Sequence, residues 1–482
     1  MRLKILSRNK TRYTYVKVLI LLICILFMLN TRGMAYNRVV FVSSTLGNDS
    51  NTGQDVVNPV RTIANALTKG DSILLRRGDC FYETVRLKNA YLSNYGAGNL
   101  PVISGYKKII HPIWKQVAPN VWRISMVEDA YVGSCSFSQS SYLNNVGNIH
   151  DIEKDCIHGR KVLKMDYLRE DWDFWQTEHF KSKETLPSDF DFLYLRLSKN
   201  PNDLHLEFST GTSGVSIVNA TIDGVRIEGF GKHGIASGTN TIIRNCVIDG
   251  IGGMTQVGYE KFTSLGNGIE FYVSSNISDC TVEKCRISRC YDCGVTIQAS
   301  GCGQAAPKNI VVRQNCIADC CQGWEDFLRN DDNIVYIGCV FENNTVINSG
   351  KTSGFNYPPR FKYCHILGNN YKGNKGMIIR NNTFVGGNFY CSGEYKGKYQ
   401  SNVWQGNRCY IVRGDFILSN YGGTKDVIRI PNDAKGYTSL GKATAAAIKR
   451  YRKLTGDETT RFIIMSDRRI QRKISKIRKK YQ

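Results

Sequence analysis

The chain has 482 residues, of which 42% are hydrophobic, and a formal net charge of +23 at pH 7. This length is enough for one large solenoid with caps or for two compact domains. The charge is concentrated at the ends, because residues 1–35 hold seven basic and no acidic side chains and residues 442–482 hold fourteen basic and three acidic ones. The mildly basic middle permits an acidic polysaccharide as partner, and no nucleic-acid partner is predicted.

Residues 1–35 have the pattern of a signal peptide. A basic stretch is followed by an apolar run over residues 18–29 and then by Gly33, Met34 and Ala35. Small residues here are typical of a cleavage site, and twelve apolar residues are few for a bilayer span. We therefore expect a secreted, periplasmic or cell-surface protein, with an uncleaved membrane anchor as the alternative.

Residues 36–110 are predicted to form an N-terminal cap and the first coils of the fold. They contain a turn rich in Asn, Asp and Gly before Pro59, then the helix-like segment TIANALTK, then alternating apolar residues around Gly78. A helix is expected there because it would cover the strand edges that an open solenoid end exposes. Residues 111–215 are rich in aromatic side chains and break the pattern, so they are predicted to be an irregular β-rich insertion or small β-subdomain.

Two short motifs recur in residues 216–425. The first has a small or amide side chain before an apolar residue, at intervals of 21 to 39 residues, and its positions are Val225, Cys246, Cys285, Asn315, Asn344, Asn382 and Asn407. The second is a glycine followed by an apolar residue, at Gly234, Gly268, Gly294, Gly323 and Gly354. Short strands at nearly fixed offsets, joined by variable loops, predict an all-β, right-handed parallel β-helix. The asparagines should then stack along its axis.

Residues 426–482 are predicted to be a short helical, basic C-terminal tail. It contains the segments AAAIKRYRKL and RRIQRKISKIRKKY. Such a tail could contact anionic lipid or polysaccharide, or it could only improve solubility.

The chain contains 17 cysteines, one of them in the predicted signal peptide. Export would allow disulfides, and stacked coils would bring some cysteines close enough to bridge. Buried thiols acting as small apolar side chains explain Cys246, Cys285, Cys290 and Cys320 at least as well. The single CxxC from Cys290 to Cys293 is a weak zinc signal, so no metal site is predicted.

Several segments between residues 38 and 400 carry a resemblance to a known superfamily. They are FVSSTLGNDSNTG, NPVRTIANAL, GDSILLRRGDCF, SNYGAGNLPVISG and TIDGVRIEGFGKHGI. In these segments the chain resembles the right-handed parallel β-helix proteins of the pectate-lyase-like superfamily, of the exported, carbohydrate-active type. The resemblance implies the solenoid fold and a role on polysaccharide. It does not name the reaction, because members include lyases, hydrolases, epimerases and proteins of other roles.

The largest break in the regular spacing indicates a candidate site. Residues 251–266 are inserted before Gly268 and are expected to wall a groove on one outer face. Glu270 and Glu325 follow their glycines at the same place in repeats two coils apart, so strand alternation should turn both carboxylates outward. Backbones two coils apart lie about 9 to 10 Å from each other, near the carboxylate separation of glycosidases that invert configuration.

Five other side chains near this corner are candidates. Asp326, beside Glu325, and His233, one coil before Glu270, could transfer protons. Tyr259 and Lys261 in the inserted loop could bind substrate, and Trp324 could stack on a sugar ring unless it points inward. Each could also be an ordinary turn or core residue.

The sequence thus predicts an exported polysaccharide-degrading enzyme, either a glycoside hydrolase or a polysaccharide lyase, that acts in a groove along the β-helix. No cofactor is predicted for a hydrolase, whereas a lyase could use Ca²⁺ held by the carboxylates that follow Glu325. The alternative is a non-catalytic β-helix protein with a glycan-binding or surface-structural role. Membrane contact is expected only through an uncleaved signal segment or the basic tail.

Overall fold

In a computed structural model, the chain winds through three long sheets in turn, with one strand from each sheet in every coil. The structure describes residues 38–108 and 212–350, apart from 254, 257–262, 274–275, 301–305 and 330–334, and parts of 113–210 and 366–481. The predicted signal segment lies outside these residues. Neighbouring coils pair in parallel, as the register of consecutive strands shows. This is the right-handed parallel β-helix that the repeats predicted.

Strands are numbered here in chain order. Sheet 1 has ten strands, which are β1 (Val39–Val42), β2 (Ser72–Arg76), β5 (Tyr91–Tyr95), β17 (Ala220–Asp223), β20 (Thr241–Arg244), β25 (Ser278–Glu283), β28 (Lys308–Arg313), β31 (Val340–Glu342), β34 (Ile378–Arg380) and β37 (Val403–Gln405). Sheet 2 has ten, which are β3 (Cys80–Phe81), β6 (Val102–Ser104), β18 (Arg226–Glu228), β21 (Val247–Ile251), β26 (Arg286–Cys290), β29 (Cys316–Ala318), β32 (Thr345–Ser349), β35 (Thr383–Gly387), β38 (Arg408–Val412) and β41 (Arg461–Met465).

Sheet 3 also has ten strands, and all but the last two pair in parallel. They are β4 (Val85–Lys88), β16 (Val215–Val218), β19 (Ile235–Ser237), β24 (Ile269–Tyr272), β27 (Cys293–Ser300), β30 (Gln322–Arg329), β33 (Ile366–Asn370), β36 (Cys391–Glu394), β39 (Ile417–Asn420) and β40 (Ile428–Arg429). The final pair, β39 and β40, is antiparallel.

The aromatic-rich insertion leaves the solenoid between β6 and β16 and forms two small sheets. The first contains β7 (Tyr106–Lys108), β10 (Val132–Phe137), β11 (Ser141–Tyr142) and β15 (Leu206–Thr210). The second contains β8 (Lys115–Ala118), β9 (Val121–Ser125), β12 (Asn144–Asn145), β13 (Asp173–Gln176) and β14 (Phe192–Arg196). A separate hydrophobic cluster around Phe174 and Leu195 stabilises it, because the solenoid core does not extend into this segment.

Asparagines stack at the turn between sheets 1 and 2. The Nδ2 atom of Asn315 donates to Oδ1 of Asn344 at 3.0 Å, and Nδ2 of Asn344 donates to Oδ1 of Asn382 at 3.2 Å. Asn382 repeats this contact with Asn407 at 3.1 Å. These amides are almost fully buried, so their mutual hydrogen bonds satisfy polar groups that burial would otherwise leave unpaired. The ladder that the sequence predicted is therefore confirmed.

Four of the five recurring glycines, Gly234, Gly268, Gly294 and Gly323, line the start of sheet 3. Gly354 lies outside the described residues, and the next strand of this sheet, β33, begins only at Ile366. A Cβ on Gly268 would lie 2.6 Å from the carbonyl oxygen of Gly294, and one on Gly294 would lie 2.9 Å from the carbonyl oxygen of Gly323. Since real Cβ atoms do not approach a backbone oxygen so closely, only glycine allows the coils to stack here.

One helix packs on the first strands of the solenoid, and another packs along sheet 2. Helix α1 (Ile63–Lys69) begins at Thr62, whose side chain accepts a hydrogen bond from the Asn65 amide, and it buries Ile63 and Ala66. Helix α2 (Asp467–Tyr481) follows β41 directly. The tail that was expected to be helical thus also contributes a strand, which pairs with β38. Within the described residues, no helix has both the length and the apolar composition to cross a bilayer.

The cysteines whose side chains the structure describes form no disulfide, and all but Cys80 are buried. Cys246, Cys285, Cys290 and Cys320 belong to the solenoid core. They occupy the small apolar positions that one of the two sequence interpretations assigned to them.

Candidate active site

The two glutamates lie in one outward row of sheet 3. Strand register aligns Ala236 with Glu270, Glu270 with Thr296 and Thr296 with Glu325. The adjacent inward row, which includes Ile269, is fully buried in the core. The glutamate backbones are therefore two strands apart, about 9.6 Å, on the same face.

Glu270 is held from both sides by neutral donors. Its Oε1 accepts a hydrogen bond from Nε2 of Gln298, one coil later. Its Oε2 lies 3.3 Å from Nε2 of His233, one coil earlier. The Nδ1 atom of His233 accepts the backbone N–H of Asn267 at 3.4 Å, so the proton of the neutral ring lies on Nε2, facing Glu270.

Burial keeps His233 neutral. Its side chain is only 6% exposed, and loss of hydration lowers the pKa of His233, although the nearby Glu270 carboxylate acts in the opposite direction. The imidazole therefore serves Glu270 as a fixed hydrogen-bond donor rather than as a titrating base near neutral pH.

Glu325 lies in a contrasting environment. It is buried, and its Oε2 accepts one hydrogen bond, from Oγ1 of Thr296 at 2.8 Å. Loss of hydration, followed by repulsion from Asp292, raises the pKa of Glu325 well above its ordinary value, and the Thr296 hydrogen bond opposes this only in part. Glu325 is therefore a protonated acid under conditions in which ordinary glutamates are ionised.

Asp292 is a third carboxyl group at this site, which the sequence analysis did not select. It lies in the tight turn between β26 and β27, and its carbonyl oxygen accepts the Gln322 amide of the next coil at 2.9 Å. Burial, with repulsion from Glu270, raises the pKa of Asp292 to about 7. Asp292 thus interacts electrostatically with both glutamates.

Two of the candidate residues point inward instead. Trp324 is completely buried and packs on Phe341, with ring centroids 4.9 Å apart. Asp326, also completely buried, pairs in register with the core residue Ile297. Trp324 directly precedes Glu325 and Asp326 directly follows it. Because side chains alternate between the two faces of a strand, both point to the face opposite that of Glu325. This corrects the expectation that Trp324 stacks on a sugar and that Asp326 shares the catalytic face.

A second outward row lies two residues further along the same strands. It aligns Tyr272 with Gln298 and Gln298 with Phe327. Tyr272 is 44% exposed, and Phe327 is partly exposed. Two aromatic side chains thus lie beside the carboxyl row, on either side of the amide that binds Glu270.

The site lies at the corner where sheet 2 leads into sheet 3, and the inserted loop and the aromatic-rich insertion both leave the solenoid at this corner. The inserted loop forms a hairpin of β22 (Thr255–Gln256) and β23 (Thr263–Ser264). At its base, Gly252 packs so closely on Gly266 that a Cβ would lie 2.3 Å from the Gly266 Cα. The aromatic-rich insertion leaves the same corner earlier in the solenoid, and the Gly214 amide at its end donates to the His233 carbonyl oxygen.

The remaining two candidates, Tyr259 and Lys261, lie outside the described residues. Within the part of the chain that the structure describes, no three His, Cys, Asp or Glu side chains are arranged to hold a metal ion.

No model of a known protein family matches this chain, and no curated protein matches it. Among solved structures, the chain is similar to XylC in complex with xylose, at 12% identity and a TM-score of 0.40 over 88% of this chain and 82% of that one. It is similar to the GH136 lacto-N-biosidase from Eubacterium ramulus, at 11% identity and a TM-score of 0.38 over 89% and 68%. It is also similar to an alginate lyase from Paenibacillus sp. str. FPU-7, at 13% identity and a TM-score of 0.30 over 73% and 87%.

Similarity this low carries no argument about the reaction. The fold of this chain is established by its own strand register, and its chemistry has to be argued from its own side chains.

Proposed function

We propose that this protein is a glycoside hydrolase that cleaves a glycan on the outer face of sheet 3. Glu325 is the general acid and Glu270 is the general base. The single observation that supports this most strongly is the contrast between two carboxyl groups on one face: Glu325 has a raised pKa, whereas Glu270 accepts hydrogen bonds at both oxygens. Two carboxyl groups in unlike environments are the usual arrangement for acid and base roles in glycoside hydrolysis.

In the proposed reaction, Glu325 donates its proton to the glycosidic oxygen as the bond from that oxygen to the anomeric carbon breaks. A water molecule attacks the anomeric carbon, and Glu270 takes the proton that this water loses. Two hydroxyl-bearing products leave, and proton exchange with solvent restores both carboxyl groups. The backbones of the two glutamates are about 9.6 Å apart, and a carboxyl separation near this value would leave room for the water and give inversion of configuration.

His233 and Gln298 are positioning residues in this scheme. They fix both oxygens of Glu270 from neighbouring coils, so the base needs no reorganisation when the water binds. Tyr272 and Phe327 would supply faces for sugar rings, because C–H groups of a pyranose pack well on aromatic rings.

A hydrolase fits the charge of this face better than a uronate lyase. A lyase has to neutralise the carboxylate of its substrate, which requires a cation. The described side chains of the two outward rows from Ala236 to Phe327 include no basic residue, and Asp292 adds negative charge. We therefore expect an uncharged sugar at the point of cleavage.

The experiment is release of reducing ends from a panel of neutral and acidic glycans. Glu270→Gln and Glu325→Gln should each reduce turnover by at least about 100-fold. Glu342→Gln, which removes a carboxylate paired with Arg380 on sheet 1, is the matched control and should keep full activity. An unsaturated product absorbing in the near ultraviolet would instead indicate a lyase. Glycan binding without any product would favour the non-catalytic alternative.

A further inference from the structure

Helix α2 is packed firmly on the outer face of sheet 2. Ile470 and Ile474 are buried against Ile347 and Val385. Gly386 makes room for the helix, because a Cβ there would already lie 3.1 Å from a methyl carbon of each isoleucine. The apolar side of the helix is therefore fully used within the protein.

Polar contacts fix the far end of α2. Arg478 binds both carboxylate oxygens of Asp319 at 2.6 Å. The Arg286 guanidinium donates to the carbonyl oxygen of Tyr481 at 2.7 Å. Since Arg286 lies in β26 and α2 starts after β41, the helix runs back along the solenoid axis across several coils.

The outward side of α2 is mainly basic, and its other exposed residues are Asp467, Gln471 and Ser475. Besides Arg478, the exposed basic residues are Arg468, Arg469, Arg472, Lys476, Lys479 and Lys480. Within the described part of the chain, none of these six forms an ion pair with an acidic side chain. Arg468, Arg472 and Lys476 follow one another at intervals of four, so like charges are neighbours on one line of about 12 Å.

These charges do not stabilise the helix. Like charges four residues apart disfavour a helix. Arg468 and Arg469 lie in the first turn, where the helix dipole is already positive, and only Asp467 there has the favourable sign. Only the basic residues of the last turn suit the dipole.

A second pair of like charges continues this surface onto sheet 2. Arg408 and Arg461 are exposed cross-strand neighbours in β38 and β41. Like charges directly beside each other in a sheet are unfavourable. Tyr410, two residues after Arg408, and Met465, four residues after Arg461, pack against α2, so the pair borders the helix. We call Arg408, Arg461, Arg468, Arg472 and Lys476 the basic ridge.

We propose that the basic ridge binds a linear acidic polysaccharide. Closely spaced cations that repel one another in the free protein are stabilised by a polyanion, and a straight line of charges matches an extended polymer. A membrane surface fits less well, because an interfacial helix inserts apolar side chains and those of α2 are buried. A single-stranded nucleic acid usually requires exposed aromatic rings, and the described rings of this surface, Tyr410 and Tyr481, are partly buried under lysines.

This binding surface is on sheet 2, whereas the proposed cleft is on sheet 3, so the inference goes beyond the proposed hydrolase and does not depend on it. The test is retention of the purified full chain on immobilised polygalacturonate at about 150 mM salt. Arg468→Gln, Arg472→Gln and Lys476→Gln combined should weaken binding by about tenfold or more.

The matched control removes the same charge elsewhere, by Lys115→Gln, Lys199→Gln and Lys308→Gln at exposed positions. It should bind like the unaltered chain, and equal melting temperatures should show that both variants are folded. Equal loss in both variants would overturn the proposal, because net charge alone would then explain binding. Failure to bind polygalacturonate, or stronger binding to vesicles with 30% anionic lipid or to a single-stranded DNA, would also overturn it.

Discussion

The carboxyl groups of Asp292 and Glu325 lie on adjacent coils, and the charge of Asp292 helps to raise the pKa of Glu325. Glu325 has to be protonated to act as an acid, so activity should fall as pH rises through its pKa. Replacing Asp292 by Asn removes one repulsive charge and should lower that pKa. The alkaline limb of the profile of kcat/KM against pH should therefore move to lower pH. An unmoved limb would show that Asp292 does not tune the acid.

Asp292 should also make folding stability depend on pH. Its pKa is about 7 in the folded chain, compared with about 3.9 in an unfolded one. Between these values the folded state binds more protons, so this contribution to stability is complete below about pH 4 and is lost as pH rises through 7. Asp292→Asn removes this contribution. The melting temperature of the variant minus that of the unaltered chain should increase from pH 4 to pH 8. If this difference is the same at every pH, Asp292 does not have the raised pKa assigned to it.

His233 should affect turnover through the orientation of Glu270. His233→Ala removes the donor to Oε2 and should lower kcat by about 10- to 100-fold, because a misplaced base loses near-attack geometry. KM should change little, since the His233 side chain is buried and offers almost no surface to a substrate. His233→Gln can donate from its amide and should recover part of the loss. If both variants lose activity only in proportion to unfolding, the role of His233 is structural.

The asparagine ladder should be a stability determinant far from the site. Asn344→Ala removes the acceptor of Asn315 and the donor to Asn382. Leaving buried polar groups unpaired should cost about 2 to 4 kcal/mol of unfolding free energy. Chemical denaturation measures this, with Gln405→Ala, an exposed amide on sheet 1, as a control expected to change stability by less than about 0.5 kcal/mol. If Asn344→Ala leaves the free energy of unfolding unchanged, the hydrogen bonds of the ladder do not explain the asparagine repeat.

The fold could be predicted because its signals are local and repeat. From Gly234 to Gly323, glycine stands where backbones meet at sheet 3, and from Cys246 to Asn407 a small or amide residue stands at the turn between sheets 1 and 2, so the sequence shows both columns directly. Strand alternation likewise predicted that Glu270 and Glu325 share a face. The same alternation excludes Trp324 and Asp326, one step to either side, from that face.

The other residues of the site could not be predicted from the spacing of the sequence motifs, because their positions depend on the conformation of the turns between sheets 2 and 3. Asp292 reaches the glutamates because β26 turns into β27 within two residues, and no periodic signal distinguishes that turn. Gln298 was within reach of prediction, since it lies two residues beyond Thr296 on the same strand. The donor role of His233 required its backbone partner, Asn267, which only the structure supplies.

The central claim, that Glu325 is the acid and Glu270 the base, is tested most directly by the leaving group. Turnover should be measured on a natural oligosaccharide and on an aryl glycoside of the same sugar, whose phenol leaves without protonation. Glu325→Gln should lose the oligosaccharide activity and keep most of the aryl glycoside activity, because only the former needs an acid. Glu270→Gln should lose both. Equal losses on both substrates for Glu325→Gln, or an unaffected Glu270→Gln, would contradict the account.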